Sequence, residues 1–210
     1  MASGPARYLA LGDSYTICSG ASAPARRWPD IIARRLAAAT GSGVGVTNLG
    51  VGGFTTSDLI DLELPRLDDG RWDYVSILIG VNDFFQGYDE PHYHARLVGI
   101  YDAVAGLGLP PGRVVAVSIP DYSFTPEGRA SGRPADIAAG LELFNASARV
   151  TAEMRGFLWV DIFEVSRSRI GAPGWISSDG LHPGDAQYQA WADVIWESIG
   201  PVWGAAGAAA

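Results

Sequence analysis

The chain contains no lysine: its 15 basic residues are all arginine, set against 23 acids for a formal charge of -8. With no basic stripe there is no electrostatic footprint for a nucleic-acid backbone, and nucleic-acid binding is not expected. A single cysteine, Cys18, excludes an intrachain disulfide and a thiolate metal cluster. Lying four residues past Ser14, it reads as a small buried apolar filler rather than as a nucleophile. No segment approaches the roughly 20 apolar residues of a membrane span, so the chain is expected to be soluble, with no stable membrane insertion. Nor does an apolar stretch of signal-peptide length precede Ser14, which makes the cytoplasm the default location unless a leader has been removed. At 210 residues the chain is long enough for one well-buried domain and short for two, so a single domain over 1–210 is expected, with 205–210 as a disordered tail.

What is present is a regular alternation of buried strands and amphipathic helices. Tyr8 to Leu11 form an apolar run ending at Gly12, as a strand buried on both faces would. Val44 to Leu49, Tyr74 to Ile79, Arg113 to Ile119 and Phe157 to Ile162 read as four further strands. Between them the spacing predicts helices over Trp28 to Thr40, Thr56 to Leu67 with Pro65 near its end, Tyr93 to Leu107, Asp136 to Met154 and Gln187 to Val202. This order predicts an α/β fold, a mainly parallel five-stranded sheet sandwiched between helices, with right-handed crossovers. Two Gly- and Pro-bearing stretches, 120–134 and 166–178, are expected as loops at the carboxyl edge of that sheet.

Four polar clusters fall where strands should end: Gly12-Asp13-Ser14, the run NLGVGGFT from Asn48 to Thr55, Gly80-Val81-Asn82-Asp83, and Asp179-Gly180-Leu181-His182 before the last helix. In an open parallel sheet all four should share one rim. Each alone has an ordinary reading, since Asp and Ser after Gly are common turn and cap residues, and Asp-Gly-Leu-His-Pro could simply cap a helix. Together they make a hydrolase site. A flavodoxin-like binding module is the rival, but GDSYTICSG has neither a Walker lysine nor a G-x-G-x-x-G turn.

In these four blocks the chain resembles the GDSL-like or SGNH hydrolase superfamily, from Tyr8 to about Trp196. The resemblance implies a flavodoxin-like three-layer sandwich, Ser14 as nucleophile, His182 as base and Asp179 as its orienting acid. It also implies oxyanion donors from the Ser14 N–H, the Gly53 N–H and the Asn82 side chain. Tyr15 departs from the pattern, standing where many members have leucine. The chemistry agrees: a serine hydroxyl is a weak nucleophile until a base takes its proton, and imidazole, with an unperturbed pKa of about 6.5, suits that task. Asp179, three residues before His182, can accept its Nδ1–H and leave Nε2 for the serine. His92 and His94 read as solvated residues at the start of a surface helix rather than as a zinc pair. Asp13 and Asp83 read as structural hydrogen-bonders.

The expected activity is therefore hydrolysis of carboxylic esters with short- to medium-length acyl groups, through an acyl-enzyme, on a small-molecule or lipid ester and with neither cofactor nor metal. Lysophospholipase, thioesterase or sugar O-acetylesterase activity would use the same site. Candidate pocket walls are Tyr15, Phe54, Phe84, Phe85, Tyr122, Trp175 and Ile176.

Overall fold

The first strand is the centre of the molecule, and its composition explains why. In the computed structural model, which describes residues 4–205, β1 (Ala6–Gly12) buries every side chain from Tyr8 to Leu11. On one side it pairs with β2 (Val44–Asn48), from Ala6 opposite Val44 to Ala10 opposite Asn48. On the other it pairs with β3 (Tyr74–Leu78), from Tyr8 opposite Tyr74 to Gly12 opposite Leu78. β4 (Val114–Val117) and β5 (Leu158–Val160) complete an all-parallel sheet of order β2-β1-β3-β4-β5. The chain runs outward from β1 to β2 and then returns past β1 to β3. The connections leaving β1 and β3 therefore diverge, opening a crevice at the carboxyl ends of these two strands.

Nine α-helices occur among the described residues: α1 (Ser14–Ile17), α2 (Trp28–Thr40), α3 (Thr56–Asp58), α4 (Val81–Phe85), α5 (Glu90–Ala105), α6 (Pro126–Ala130), α7 (Pro134–Glu153), α8 (Phe163–Arg167) and α9 (Asp185–Trp203). α2 packs on α9 and α5 on α7, giving two helical layers with the sheet between them. The long helices sit where the apolar spacing puts them, with ends shifted by caps. α5 starts at Glu90 because the Asp89 carboxylate accepts the His92 N–H at 3.0 Å and Pro91 occupies the first turn, where its missing N–H costs nothing. Of the expected tail, only Ala205 is described; residues 206–210 lie outside.

The expected helix over 56–67 is the element that differs most. Its apolar stripe is present, but α3 passes into a π-helical turn over Leu59–Glu63 and then a 3₁₀ stretch over Leu64–Asp69. Pro65 has no N–H to give to a carbonyl four residues back, so regular α geometry cannot continue through it. The other short helices, α1, α4, α6 and α8, have no periodic signal, because one turn is too short to show one.

Candidate active site

Every polar cluster predicted for the rim is held by a local device. After β1 the backbone turns at Gly12, with φ of +148°, and a Cβ there would lie 2.0 Å from the Leu78 carbonyl oxygen, so only glycine fits. Asp13 then caps α1, its Oδ1 accepting the Tyr15 N–H at 2.9 Å, and Ser14 opens the helix. The Asn48 side chain ties the next loop to this turn, donating to the Thr16 carbonyl at 2.7 Å and accepting the Gly50 N–H at 3.0 Å. That loop reaches Gly53, which has φ of +86°. Asn82, in the first turn of α4, donates to the Phe54 carbonyl at 2.8 Å, joining the loops after β2 and β3. Asp83 is fully buried and accepts from both the N–H and the hydroxyl of Thr56. Of the two acids adjacent to the candidate groups, Asp83 thus ties α4 to α3, and Asp13 caps its own turn.

On the last cluster, His182 Nδ1 lies 2.6 Å from Asp179 Oδ2. Asp179 Oδ1 accepts the N–H groups of Leu181 and His182, both at 2.9 Å, and the Ser177 hydroxyl at 2.7 Å. Burial opposes the charge on Asp179, but these hydrogen bonds outweigh it and hold the carboxyl well below the usual carboxylate range. An ionised Asp179 fixes the tautomer with its proton on Nδ1 and leaves Nε2 as the basic nitrogen.

A cavity of about 290 Å³ brings the separate blocks together: Ser14, Gly53, Asn82 and His182 all line it, with Tyr15, Phe85 and Tyr122 among its apolar walls. Ser14 Oγ makes no hydrogen bond to a described residue, and contacts of this kind tighten when substrate is bound. Tyr15 meets the His182 ring edge-on, at 6.0 Å between centroids, so the residue that departs from the leucine of the motif buttresses the imidazole. A second hollow of about 450 Å³ shares Phe85 and Tyr122 with the first and has Phe84 in its wall.

Phe54, Trp175 and Ile176 do not line either hollow. Trp175 is 1% exposed and donates its indole N–H to the Ser166 carbonyl at 2.7 Å. Gln187 of α9 donates to the same carbonyl at 2.5 Å, and Ile176 pairs with Pro183 in an isolated bridge. The 166–178 stretch is thus a support for the turn that carries Asp179 and His182. The 120–134 stretch holds α6, and its Glu127 N–H bonds the Gly180 carbonyl at 3.2 Å, bracing the same turn from another side.

Cys18 is buried, and burial pushes its thiol up, so it holds no ready thiolate. His92 stacks on Tyr88, and His94 Nδ1 lies 2.9 Å from the Ser147 hydroxyl, so the two do not turn toward a common ion. Among the described residues there is no group of three or more His, Cys, Asp or Glu that could hold a metal.

One polar residue near the site escapes the sequence reading. Glu63 is 2% exposed, and its Oε2 accepts the Gly12 N–H at 3.0 Å. The available signal was its place on the apolar stripe of Leu59 and Leu67, where a carboxyl faces the interior.

An all-parallel five-stranded sheet flanked by helices, with its polar blocks gathered at the crevice beside β1, is the α/β architecture of the GDSL hydrolases. The chain belongs to the GDSL-like lipase/acylhydrolase family, whose family model matches residues 10–190, and it is a carboxylic ester hydrolase. The fold matches LAE5, an alpha/beta hydrolase enzyme from the metagenome of Lake Arreo, with a TM-score of 0.75 at 18% identity over 94% of this chain and 96% of that one. It matches a member of the lipolytic protein G-D-S-L family from Veillonella parvula with a TM-score of 0.74 at 16% identity, over 93% and 99%. It also matches a catalytic mutant of Axe2, an acetylxylan esterase from Geobacillus stearothermophilus, with a TM-score of 0.73 at 22% identity, over 97% and 98%. A comparison with curated proteins returns no match.

Proposed function

We propose that this protein hydrolyses carboxylic esters of short- to medium-length acyl groups through an acyl-enzyme formed on Ser14, within a single domain. His182 Nε2 takes the serine proton as Oγ attacks the carbonyl carbon, and Asp179 stabilises the imidazolium that forms. The developing oxyanion is met by the N–H groups of Ser14 and Gly53 and by the Asn82 amide. Collapse of the tetrahedral species passes the proton from His182 to the leaving alcohol and leaves the acyl group on Oγ. Water, deprotonated by the same imidazole, then releases the acid and regenerates the serine.

The observation that carries this reading is the convergence of Ser14, Gly53, Asn82 and His182 on one cavity, with His182 Nδ1 held by Asp179 at 2.6 Å. The volume of the cavity supports this choice of acyl group. An apolar hollow of about 150 Å³ accommodates a benzene, and this one of about 290 Å³ has room for a short- to medium-length acyl chain. The likeness to Axe2 supports a second reading on the same site, removal of O-acetyl groups from sugars.

The experiment is labelling with a serine-directed fluorophosphonate alongside turnover on esters from acetyl to palmitoyl. Wild type should label at Ser14, and Ser14→Ala should neither label nor turn over while keeping its stability to within about 1 kcal/mol, because so small a change at a rim leaves no core cavity. Turnover retained in Ser14→Ala would sink the mechanism.

A further inference from the structure

Glu63 is a buried carboxyl to which the acyl-transfer reading gives no task. The π-helical turn that presents it is closed by the Leu64 N–H bonding the Leu59 carbonyl five residues back, an arrangement often found at functional sites. From its end the side chain reaches Gly12, two residues before Ser14, at the position whose left-handed φ lets the chain turn out of β1. The second oxygen, Oε1, is buried with no hydrogen-bond partner, and so is Oδ2 of Asp13, the residue between Gly12 and Ser14. Two buried carboxyls, each with one oxygen unpartnered, therefore lie against the turn that carries Ser14.

We propose that Glu63 is a positioning residue for Ser14, holding the Gly12 N–H as a neutral acid, and that its ionisation slows acyl transfer by setting a negative charge behind the oxyanion donors. This rests on the reading of Ser14 as nucleophile. A neutral carboxyl accepts the N–H through its carbonyl oxygen and adds no charge, whereas a carboxylate in a water-excluded site would repel the negative charge that develops on the substrate oxygen. Burial pushes the Glu63 acid up to about 9, the Gly12 N–H pulls it back, and Asp13 adds to the rise. Burial likewise pushes Asp13 up to about 8, with Asp83 of α4 adding to it.

Among the described residues, no cation of the surrounding elements acts on this pair. Asp58 of α3 is tied to Thr55, whose N–H and hydroxyl it accepts at 2.8 and 2.6 Å. α5 packs on the π-helical turn and brings Tyr93, whose hydroxyl donates to the Ile79 carbonyl at 3.3 Å, together with Glu90 and with His92, which acts on Asp83. Arg66 lies in the 3₁₀ stretch that follows and does not figure among the groups that shift Glu63.

The test compares wild type, Glu63→Leu and Glu63→Gln in a pH-stat on a soluble aliphatic ester, with folding checked by circular dichroism. Glu63→Leu should lower kcat by about 10- to 100-fold with KM little changed, since misplacing a reacting group by about 1 Å has effects of this size. Glu63→Gln, which keeps the acceptor oxygen and cannot ionise, should restore most of that loss at neutral pH. Wild-type kcat should fall as pH rises through about 9, and this step should be missing from Glu63→Gln, which keeps only the step that Asp13 contributes near 8. Asp13 titrates in both proteins, so the difference between the two profiles reads Glu63. Unchanged kcat in Glu63→Leu, equal damage in the Gln and Leu variants, or a wild-type alkaline fall in Glu63→Gln would each overturn the inference. If Glu63→Leu does not fold, the pH comparison of wild type with Glu63→Gln decides alone. Fluorophosphonate labelling of wild type separates the two claims. Absence of label at Ser14 removes the acyl-enzyme reading itself, while labelling with unaffected Glu63 variants removes only this inference.

Discussion

Asn82 has two amide hydrogens and spends one on the Phe54 carbonyl at 2.8 Å, which leaves the other for the cavity that it lines. A donor anchored in this way costs no reorganisation when negative charge develops on a substrate oxygen, and losing one such donor typically lowers kcat by about 10²- to 10³-fold. Asn82→Ala should show a loss of that order with KM little changed. Asn82→Asp should be at least as damaging, since a carboxylate replaces the donor with a charge of the wrong sign. Steady-state kinetics of both variants on a soluble p-nitrophenyl ester would check this. A rise in KM alone at constant kcat would make Asn82 a binding residue.

At the scale of elements, the distinction that matters is between aromatic residues that wall the cavity and those that hold the walls up. Phe85, at the end of α4, is 74% exposed and stands between the two hollows together with Tyr122. Removing its ring should join them, so Phe85→Ala should shift the chain-length profile toward longer acyl groups at little cost in stability. Trp175 is the opposite case, buried under the turn that carries Asp179 and His182. Trp175→Ala should cost about 3 to 5 kcal/mol of stability, as large-to-small changes of buried aromatics do, and leave the relative preference among acyl chains unchanged. Thermal melts and an ester panel on both variants separate the two roles. A chain-length shift in Trp175→Ala, or none in Phe85→Ala, would reverse the assignment.

For the whole molecule, buried and hydrogen-bonded carboxyls give stability two opposite dependences on pH. Asp13 and Glu63 are pushed up to about 8 and about 9 by burial, far above unfolded values of roughly 4. The folded state therefore holds protons that the unfolded state has released, and their contribution is lost as pH rises from about 4 toward about 9. Asp179 is shifted the other way, so its contribution is present above the unfolded value and lost as pH falls below it. Thermal stability should therefore be higher at about pH 5.5 than at about pH 8.5, with a smaller difference in Glu63→Gln. A melting temperature that rises from the acidic to the alkaline condition in wild type would contradict the burial-driven shifts.

The sequence by itself determined the architecture and the four polar blocks, because both rest on local signals. Strands buried on two faces are continuous apolar runs, long helices repeat their apolar stripe, and glycines and short polar residues mark where the chain turns. Only the tertiary structure decided what the side chains between those signals do. Trp175 and Phe85 are both large and apolar beside a polar block, yet one supports the Asp179–His182 turn from within and the other stands at the lip of the cavity. Glu63 is an acid on an apolar stripe, and its meaning appears only when β1 brings the Gly12 N–H to it across 51 residues of chain. Such roles depend on which distant backbone groups arrive at the same place. That is set by how the layers pack around the crevice beside β1, and no local pattern encodes it.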